Sequence, residues 1–145
     1  MFRHILIPTD GSETAERAAR QAIELAKALG ASITAVTVSP RLHVPSYGVA
    51  SIDDARDDAL RAIEARTGPG LDVLRRAAEE LGVPCKLERR MGDDVADAIL
   101  DAARETRADA IAMGTRGHGG LKGLVLGSVV QRVLAKSPVP VIAWR

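Results

Sequence analysis

The stretch His4-Ile5-Leu6-Ile7-Pro8 (HILIP) places three large aliphatic residues in a row near the start of the chain. A strand with one solvent-exposed face alternates apolar and polar residues, whereas a continuous apolar run is typical of a strand covered on both faces. The residues that follow, Thr9-Asp10-Gly11-Ser12, are typical of a turn. The stretch therefore predicts a central strand, covered on both sides of its sheet.

Four more short apolar segments follow along the chain and are also predicted to be strands. They are Ser32–Val38, Cys85–Arg89, Ala108–Met113 and Val139–Trp144. Alanine-rich segments lie between successive strands. Because parallel strands need crossover connections, this alternation predicts an α/β domain with a doubly wound, mostly parallel sheet of five strands.

Apolar residues recur at helical spacing in the connecting segments. Helices are predicted over Ala15–Leu29, Val95–Ala103 and Val129–Leu134. Gly30 after the first of these and Pro138 after the last are typical of helix ends.

The segment Ile52–Leu81 is also helical in its spacing, but Thr67-Gly68-Pro69-Gly70 interrupts it. A proline flanked by glycines favours a break or a kink. The sequence leaves open whether this segment forms one helix or two.

The length of 145 residues and the hydrophobic fraction of 46% fit one domain, residues 1–145, with one core. The single cysteine, Cys85, cannot form an internal disulfide and fits a reducing compartment. The sequence contains no charged segment followed by a long apolar run, so we expect neither a signal peptide nor a membrane span. A cytoplasmic protein without a membrane partner is expected.

The charged residues are nearly balanced, with 20 Lys and Arg, 19 Asp and Glu, and a net charge of +1. A general nucleic-acid binder carries a strongly basic surface or aromatic side chains that stack on bases. The aromatic residues here are only Phe2, Tyr47 and Trp144. The composition argues against a nucleic-acid partner.

The segment MGTRGHGGLKGLVLGSVV, Met113–Val130, contains six of the thirteen glycines and leads into the fourth predicted helix. Nine extended residues span about 30 Å, so Gly117 and Gly127 lie close together only if the chain wraps back. A wrap with free amides that ends at a helix N-terminus suits an anion. Arg116, His118 and Lys122 add positive charge.

Two alternatives stay open in these loops. The glycine-rich segment is either an anion cradle or a flexible loop, and Ser128 either caps the fourth helix or donates its hydroxyl to a phosphate. Asp10 either caps the first helix, with Glu13 completing a capping box, or contacts a ribose hydroxyl or a cation.

Other nucleotide and catalytic sites fit less well. The first strand is not followed by Gly-Lys-Ser or Gly-Lys-Thr, which argues against a P-loop, and the glycines follow the fourth strand, which argues against a dinucleotide fingerprint. No serine, histidine and acid form an evident triad. Acidic residues at a helix start usually face water and the helix dipole, so Asp53, Asp54, Asp57 and Asp58 predict no metal site.

Nearly the whole chain resembles the universal stress proteins of the UspA-like superfamily. The match runs through HILIPTDGSE, Gly92 after the third strand, and MGTRGHGGLKGLVLGSVVQRVLAKSPVPVIAW. It includes that family's pattern of Gly, two residues, Gly, nine residues, Gly, and Ser or Thr, formed here by Gly114, Gly117, Gly127 and Ser128. The resemblance implies an adenine nucleotide alpha hydrolase-like sheet of order 3-2-1-4-5, in the ATP-binding branch of the family.

The resemblance also implies the ligand and its site. The implied ligand is ATP, with a Mg²⁺ ion as an optional companion. The implied binding residues, together with His118 from the same loop, are Pro8, Thr9, Asp10, Val38, Met113, Gly114, Arg116, Gly117, His118, Gly127, Ser128, Val129 and Val130. By this resemblance, Pro8, Thr9 and Asp10 line the adenine and ribose, and Val38 closes the adenine pocket. Those after the fourth strand lead to the phosphates, which Gly127–Val129 hold, and Val130 adds a backbone contact.

An ATP-binding regulatory module for the stress response, with an unknown protein partner, is the function that the resemblance implies. The alternatives are an enzyme that hydrolyses ATP slowly or transfers its phosphoryl group, and a dimeric interaction module in which nucleotide is structural. The resemblance further implies a homodimer through the last strand, Val139–Trp144, paired antiparallel with its copy. The alternative is that this apolar strand is buried against a helix of its own chain.

Overall fold

The computed structural model describes residues 1–41, 52–115 and 126–145. Strands and helices alternate strictly along these ranges, as predicted. The elements are β1 (His4–Pro8), α1 (Glu13–Leu29), β2 (Ser32–Ser39), α2 (Ile52–Leu81), β3 (Cys85–Met91), α3 (Val95–Thr106), β4 (Ala110–Gly114), α4 (Ser128–Lys136) and β5 (Val141–Trp144).

The five strands form one parallel sheet in the order β3-β2-β1-β4-β5, which confirms the implied topology. β1 lies at the centre, where Ile5 pairs with Ile33 of β2 on one side and with Ala110 of β4 on the other. Ile5 and Leu6 are completely buried. The apolar run that predicted a strand covered on both faces is therefore explained by its central position.

Helices cover both faces of the sheet. Ile5 and Ile7 point to one face and pack in a cluster with α1 and α2, through residues such as Leu71. Leu6 points to the other face and packs with α3 and α4, through residues such as Val133. Alternate residues of one strand thus serve two cores, as the period of two along a strand requires.

α2 runs without a break from Ile52 to Leu81 and contains Pro69 in its interior. The alternative of two separate helices is therefore wrong, and the single-helix alternative holds. A proline in a helix interior costs about 3 kcal/mol, whereas burying one leucine side chain stabilises by about 1.5–3 kcal/mol. Leu71 and Leu74, just after the proline, are each 1% exposed. Packing of this half of α2 on the sheet outweighs the local preference.

The last strand is shorter than predicted. β5 begins at Val141, because Val139 and Pro140 precede it, although the Pro140 carbonyl already accepts a hydrogen bond from Ile111 N–H at 2.9 Å. Within the described residues β5 is an edge strand with β4 as its one neighbour. Of the helices in the described ranges, none is long and apolar enough to cross a membrane.

Candidate functional site

The carboxyl ends of β1 and β4 meet at the middle of the sheet, where the winding direction reverses. This is the position at which open α/β sheets bind ligands. Each strand continues into a buried threonine: Thr9 N–H donates to the Val36 carbonyl at 2.9 Å, and Thr115 N–H donates to the Trp144 carbonyl at 2.7 Å. Both crossovers therefore leave the sheet from fixed backbone positions.

The turn after β1 is held by its own side chains. Gly11 N–H donates to Thr9 Oγ1 at 3.1 Å, and Ser12 N–H donates to Asp10 Oδ1 at 3.0 Å. Gly11 has φ of 77°, a left-handed conformation that favours glycine. The Asp10 carboxylate is thereby fixed at the exposed mouth of the turn.

The proposed capping role of Asp10 and Glu13 is wrong. The N-cap of α1 is Ser12, whose Oγ accepts a hydrogen bond from Ala15 N–H at 3.2 Å. Glu13 is the first residue of the helix, too early to complete a capping box. The Asp10 carboxylate accepts its hydrogen bond from Ser12 N–H within the turn.

The N-terminus of α4 has no side-chain cap. Gly127 is its N-cap and Ser128 is its first helical residue, so the alternative in which Ser128 caps α4 is wrong. The first hydrogen bond of the helix runs from Gln131 N–H to the Gly127 carbonyl at 3.1 Å. The amides of Ser128, Val129 and Val130 consequently have no hydrogen-bond partner within the described part of the chain.

The two ends of the glycine-rich loop are tied together. Gly127 N–H donates to the Thr115 carbonyl at 2.8 Å, so the chain returns to the end of β4 before α4 begins. Gln131 Nε2 also donates to the Leu126 carbonyl at 3.1 Å. The predicted approach of Gly117 to Gly127 lies outside the described residues, because Gly117 does. Because the amide of Gly127 is occupied in this way, the unpaired donors begin at Ser128.

The end of β2 and the start of α3 lie beside β1 at the same edge of the sheet. Val38 of β2 is half-buried and lies two residues beyond Val36, the partner of Pro8. Gly92 follows β3 and donates its N–H to the Ser39 carbonyl at 2.9 Å. A Cβ placed on Gly92 would lie 3.2 Å from the Ala98 Cβ and 4.0 Å from the Val38 Cγ1. Close packing there keeps the end of β2 against α3.

The predicted site residues divide into two groups. One group lies at the carboxyl edge of the sheet or at the start of α4, and consists of Pro8, Thr9, Asp10, Val38, Met113, Gly114, Gly127, Ser128, Val129 and Val130. Arg116, Gly117 and His118 lie outside the described residues, as does Lys122.

Ion pairs that the sequence analysis missed attach α4 to α3. Arg132 of α4 contacts Asp94 at 2.5 Å and Asp97 at 3.9 Å, and Lys136, one turn later, contacts Asp97 at 2.9 Å. Asp94 is also the N-cap of α3. The hydrogen bond from Asp97 N–H, followed by the one from Arg132, lowers the pKa of Asp94. The spacing of Arg132 and Lys136 on one helix face is the signal that could have found this contact.

His4 and Cys85 lie away from this edge, at the amino ends of their strands. The His4 Nδ1 is 2.7 Å from Ser32 Oγ and its Nε2 is 3.0 Å from Thr34 Oγ1, and burial lowers its pKa. Burial raises the pKa of the partly buried Cys85 thiol. Both residues belong to the fold and not to the candidate site.

Comparison with known proteins gives a consistent similarity. The family model described as "Universal stress protein family" matches residues 1–145. Universal stress protein MJ0531 of Methanocaldococcus jannaschii is 34% identical over 98% of this chain and 81% of its own length. The universal stress protein in the QAH/OAS sulfhydrylase 3'region of Thermus aquaticus is 38% identical over 100% of both chains.

A solved structure is similar in fold and informative about ligands. It is the crystal structure of a universal stress protein in complex with cAMP, which is 25% identical to this chain and superposes with a TM-score of 0.74. The match covers 99% of this chain and 97% of that one. That relative binds an adenine nucleotide.

Proposed function

The chain belongs to the universal stress protein family, and from that premise we propose that it binds ATP at the carboxyl ends of β1 and β4. The observation that carries the proposal is the unequal capping of the helices. Ser12 caps α1 and Asp94 caps α3 through their side chains, whereas α4 has no side-chain cap. An anion is the natural partner for three adjacent amides at a helix N-terminus.

The position of these amides also supports a phosphate site. Thr115 and Gly127 are hydrogen-bonded, so the start of α4 stands at the end of β4. β4 pairs with β1, and the Asp10 turn leaves the same edge of the sheet. In the proposal, the amides of Ser128–Val130 bind phosphate oxygens, with Arg116, Gly117 and His118 completing the phosphate end.

The nucleoside end of the proposed site uses the first crossover. Pro8, Thr9 and Asp10 line the adenine and ribose, and Val38 closes the adenine pocket through backbone contacts. Met113 and Gly114 form the wall between the nucleoside and the phosphates. The Asp10 side chain is an exposed carboxylate that accepts a hydrogen bond from Ser12 N–H. In the proposal it also accepts a hydrogen bond from a ribose hydroxyl, or it orients a Mg²⁺ ion that accompanies ATP.

The relative in complex with cAMP supports adenine as the base. It does not decide the number of phosphates, and we choose ATP because three consecutive amides can serve more than one phosphate group. In this proposal nucleotide occupancy changes the shape or the partners of a cytoplasmic regulatory module during stress. A single cysteine in 145 residues supports a reducing compartment.

A homodimer through β5 is part of the same proposal. β5 lies at the edge of the sheet, and Val141, Ile142 and Trp144 on it are each only partly buried. An apolar strand at a sheet edge favours pairing with another strand. Its copy in a second protomer is the partner we propose.

Mass spectrometry of small molecules released from freshly purified protein tests the ligand directly. We expect ATP, and titration calorimetry with ATP, ADP, AMP and cAMP should rank ATP first. Ligand at a hundred times its Kd adds about 2.7 kcal/mol to the free energy of unfolding, so thermal denaturation gives an independent ranking. Absence of binding by all four nucleotides would overturn the proposal.

Turnover separates a regulatory module from an enzyme. Purified protein is incubated with Mg-ATP, and phosphate release is followed under conditions where the site is saturated. We expect nucleotide to remain bound and intact over many minutes. Many turnovers per site per minute would instead assign the protein to the slow ATPases or phosphoryl-transfer enzymes.

A further inference from the structure

The middle of α2 packs backbone to backbone against the turn after β1. Gly70 is buried, and a Cβ placed on it would lie 3.0 Å from the Gly11 Cα and 3.6 Å from the Gly11 nitrogen. Carbon atoms in favourable contact lie about 3.5–4.0 Å apart. A side chain at position 70 therefore forces either α2 or the turn to move by a few tenths of an ångström.

The turn is the part that must move. Leu71 and Leu74, on the adjacent turns of α2, are each 1% exposed and pack in one cluster with Ile5 and Ile7 of β1. This packing prevents α2 from withdrawing. The turn, in contrast, is only partly buried at Gly11 and Ser12 and exposed at Asp10.

Displacement of Gly11 would be transmitted to the groups proposed to bind the nucleoside. The Gly11 amide donates to Thr9 Oγ1, and the next amide, of Ser12, donates to Asp10 Oδ1. Gly11 also has a φ of 77°, so a side chain there would be strained. The position of the Asp10 carboxylate thus depends on backbone packing between two glycines that are distant in sequence.

We propose that Gly70 is a positioning residue of the nucleotide site, which acts by setting the position of Gly11 and through it the Asp10 turn. The inference rests on the proposed function for its ligand. It also gives a role to Gly70 of the Gly68-Pro69-Gly70 segment, which neither the helix pattern nor the phosphate site explains. Gly70 serves the adenine and ribose end and does not contact nucleotide itself.

Replacement of Gly70 by alanine, with Gly68→Ala as the matched control, tests the inference. Both changes add one methyl group to α2 in place of a glycine hydrogen, although position 68 gains less helix propensity because a Cβ before Pro69 disfavours the helical conformation. The Cβ at position 68 meets only the flexible tip of Arg89, at 3.6 Å. Groups of a site must be held within about 0.5 Å of productive geometry, so we expect G70A to bind ATP roughly three- to tenfold more weakly and G68A to match the wild type.

Amide resonances of the nucleotide-free proteins give a second measurement. G70A should shift the Gly11 and Ser12 amide signals, whereas G68A should leave them in place. Unshifted signals in a folded G70A would overturn the inference whatever the affinities are. Shifted signals with wild-type ATP affinity would overturn the role in binding.

A third variant, Leu74→Ala, separates positioning from general destabilisation. It removes a buried side chain from the same face of α2 without adding an atom near Gly11. At a temperature well below every thermal midpoint, L74A should bind ATP as the wild type does. An equal loss of affinity in L74A and G70A would reduce Gly70 to a structural role and overturn the inference.

The wild-type protein provides a test that needs no variant. Addition of ATP should shift the amide signal of Gly70 through Gly11, and should leave the signal of Gly82, just beyond the C-terminal end of α2, unchanged. A Gly70 signal that does not respond to bound ATP contradicts the inference. If ATP does not bind at all, the proposed function fails, whereas the Gly11 and Ser12 signals of G70A still judge the packing claim separately.

Discussion

Single backbone amides distinguish the start of α4 from the starts of α1 and α3. At the start of α1 the Ala15 amide donates to Ser12 Oγ, and at the start of α3 the Asp97 amide donates to Asp94 Oδ1. The amides of Ser128–Val130 have no such acceptor within the described ranges. A mutation that removes one amide without disturbing the helix is therefore the most direct probe of phosphate binding.

Replacement of Ser128 by proline is such a mutation. Proline is favoured at the first helical position, where it removes an amide that makes no helical hydrogen bond. Gly127 has φ −70° and ψ 156°, which suits a residue before proline. A hydrogen bond to a charged group contributes about 1.5–3 kcal/mol, so titration calorimetry should show ATP affinity weakened by roughly ten- to a hundredfold.

Two controls accompany this variant. Val95→Pro makes the same change at the first residue of α3, whose N-cap is Asp94, and should leave ATP affinity unaltered. Ser128→Ala removes the hydroxyl but keeps the amide. If S128A loses as much affinity as S128P, the hydroxyl and not the amide binds phosphate. Equal losses in S128P and V95P would contradict a site at α4.

His4 predicts a pH dependence of stability. Burial, the largest effect, lowers its pKa in the fold, whereas Asp109 and Glu88 raise it and Lys86 lowers it. With a lowered folded pKa, the unfolded chain binds a proton more readily as the pH falls below its ordinary value of 6.5. The contribution of His4 to stability is therefore complete above that pH and is lost as the pH falls towards the folded pKa.

Urea denaturation between pH 5 and pH 8, roughly the range in which histidine titrates, measures this effect. The free energy of unfolding of the wild type should fall more steeply towards acid than that of His4→Gln. Subtraction of the two profiles removes the contribution of the carboxylates. Parallel profiles would show that the burial of His4 has no effect on its titration.

At the scale of elements, α4 and α2 are held in place by different kinds of interaction. Ion pairs of Arg132 and Lys136 with Asp94 and Asp97 connect the exposed faces of α4 and α3. α2 is fixed by buried leucines on the sheet instead, which allows it to continue through Pro69. Apolar burial and not local propensity determines the course of α2.

Pro69→Ala tests this account of α2. Pro69 is exposed and lies inside the helix, so alanine restores a hydrogen-bond donor without altering the core. Alanine is favoured over proline in a helix interior by about 3 kcal/mol, and loss of proline's restriction of the unfolded chain removes about 0.4–1 kcal/mol of this gain. Urea denaturation should show an increase of about 2 kcal/mol in the free energy of unfolding.

Gly68→Ala serves as the reference for that measurement. It replaces glycine in the same helix, and the Cβ contacts only Arg89. Because a Cβ before Pro69 disfavours the helical conformation, the gain should be less than the about 1 kcal/mol of an ordinary glycine-to-alanine change. A Pro69→Ala variant that is no more stable than the wild type would mean that the helix is already distorted around the proline in a way that alanine cannot relieve.

At the scale of the whole molecule, β3 and β5 are the two edge strands of the sheet within the described residues, and β5 is the edge next to β4. The Pro140 carbonyl accepts a hydrogen bond from Ile111 of β4, and the Trp144 carbonyl accepts one from Thr115, which directly follows β4. Since the N–H and C=O of one strand residue point to the same side and alternate along the strand, those of Val141 and Ala143 point away from β4. A second strand could therefore pair with β5 without any change inside the sheet.

Ala143→Pro tests the proposed dimer. Proline is tolerated on an edge strand where its position faces outward, so the monomer should fold while the outward N–H of residue 143 is lost. Light scattering during gel filtration should give a dimer for the wild type and for Ala143→Val, and a monomer for Ala143→Pro. A wild-type monomer, or a dimer that tolerates the proline, would contradict pairing through β5.

The sequence by itself determined the order and type of the elements. The apolar run Ile5–Ile7 predicted the central strand, and helical spacing between strands predicted a parallel sheet, because hydrophobic periodicity is a local property. The glycine-rich segment after β4 indicated an anion site for the same reason. The strand order and the individual nucleotide contacts came from the resemblance to a family and not from periodicity.

The tertiary structure alone decided what depends on residues far apart in the chain. Pro69 stays inside a helix because Leu71 and Leu74 are buried against β1. The Gly127 amide donates a hydrogen bond to the Thr115 carbonyl, and the backbone of Gly70 packs against that of Gly11. No local sequence pattern encodes contacts across these separations. Burial and backbone contact are properties of the packed molecule, whereas propensity and spacing are properties of a segment. Only propensity and spacing can therefore be predicted from the sequence.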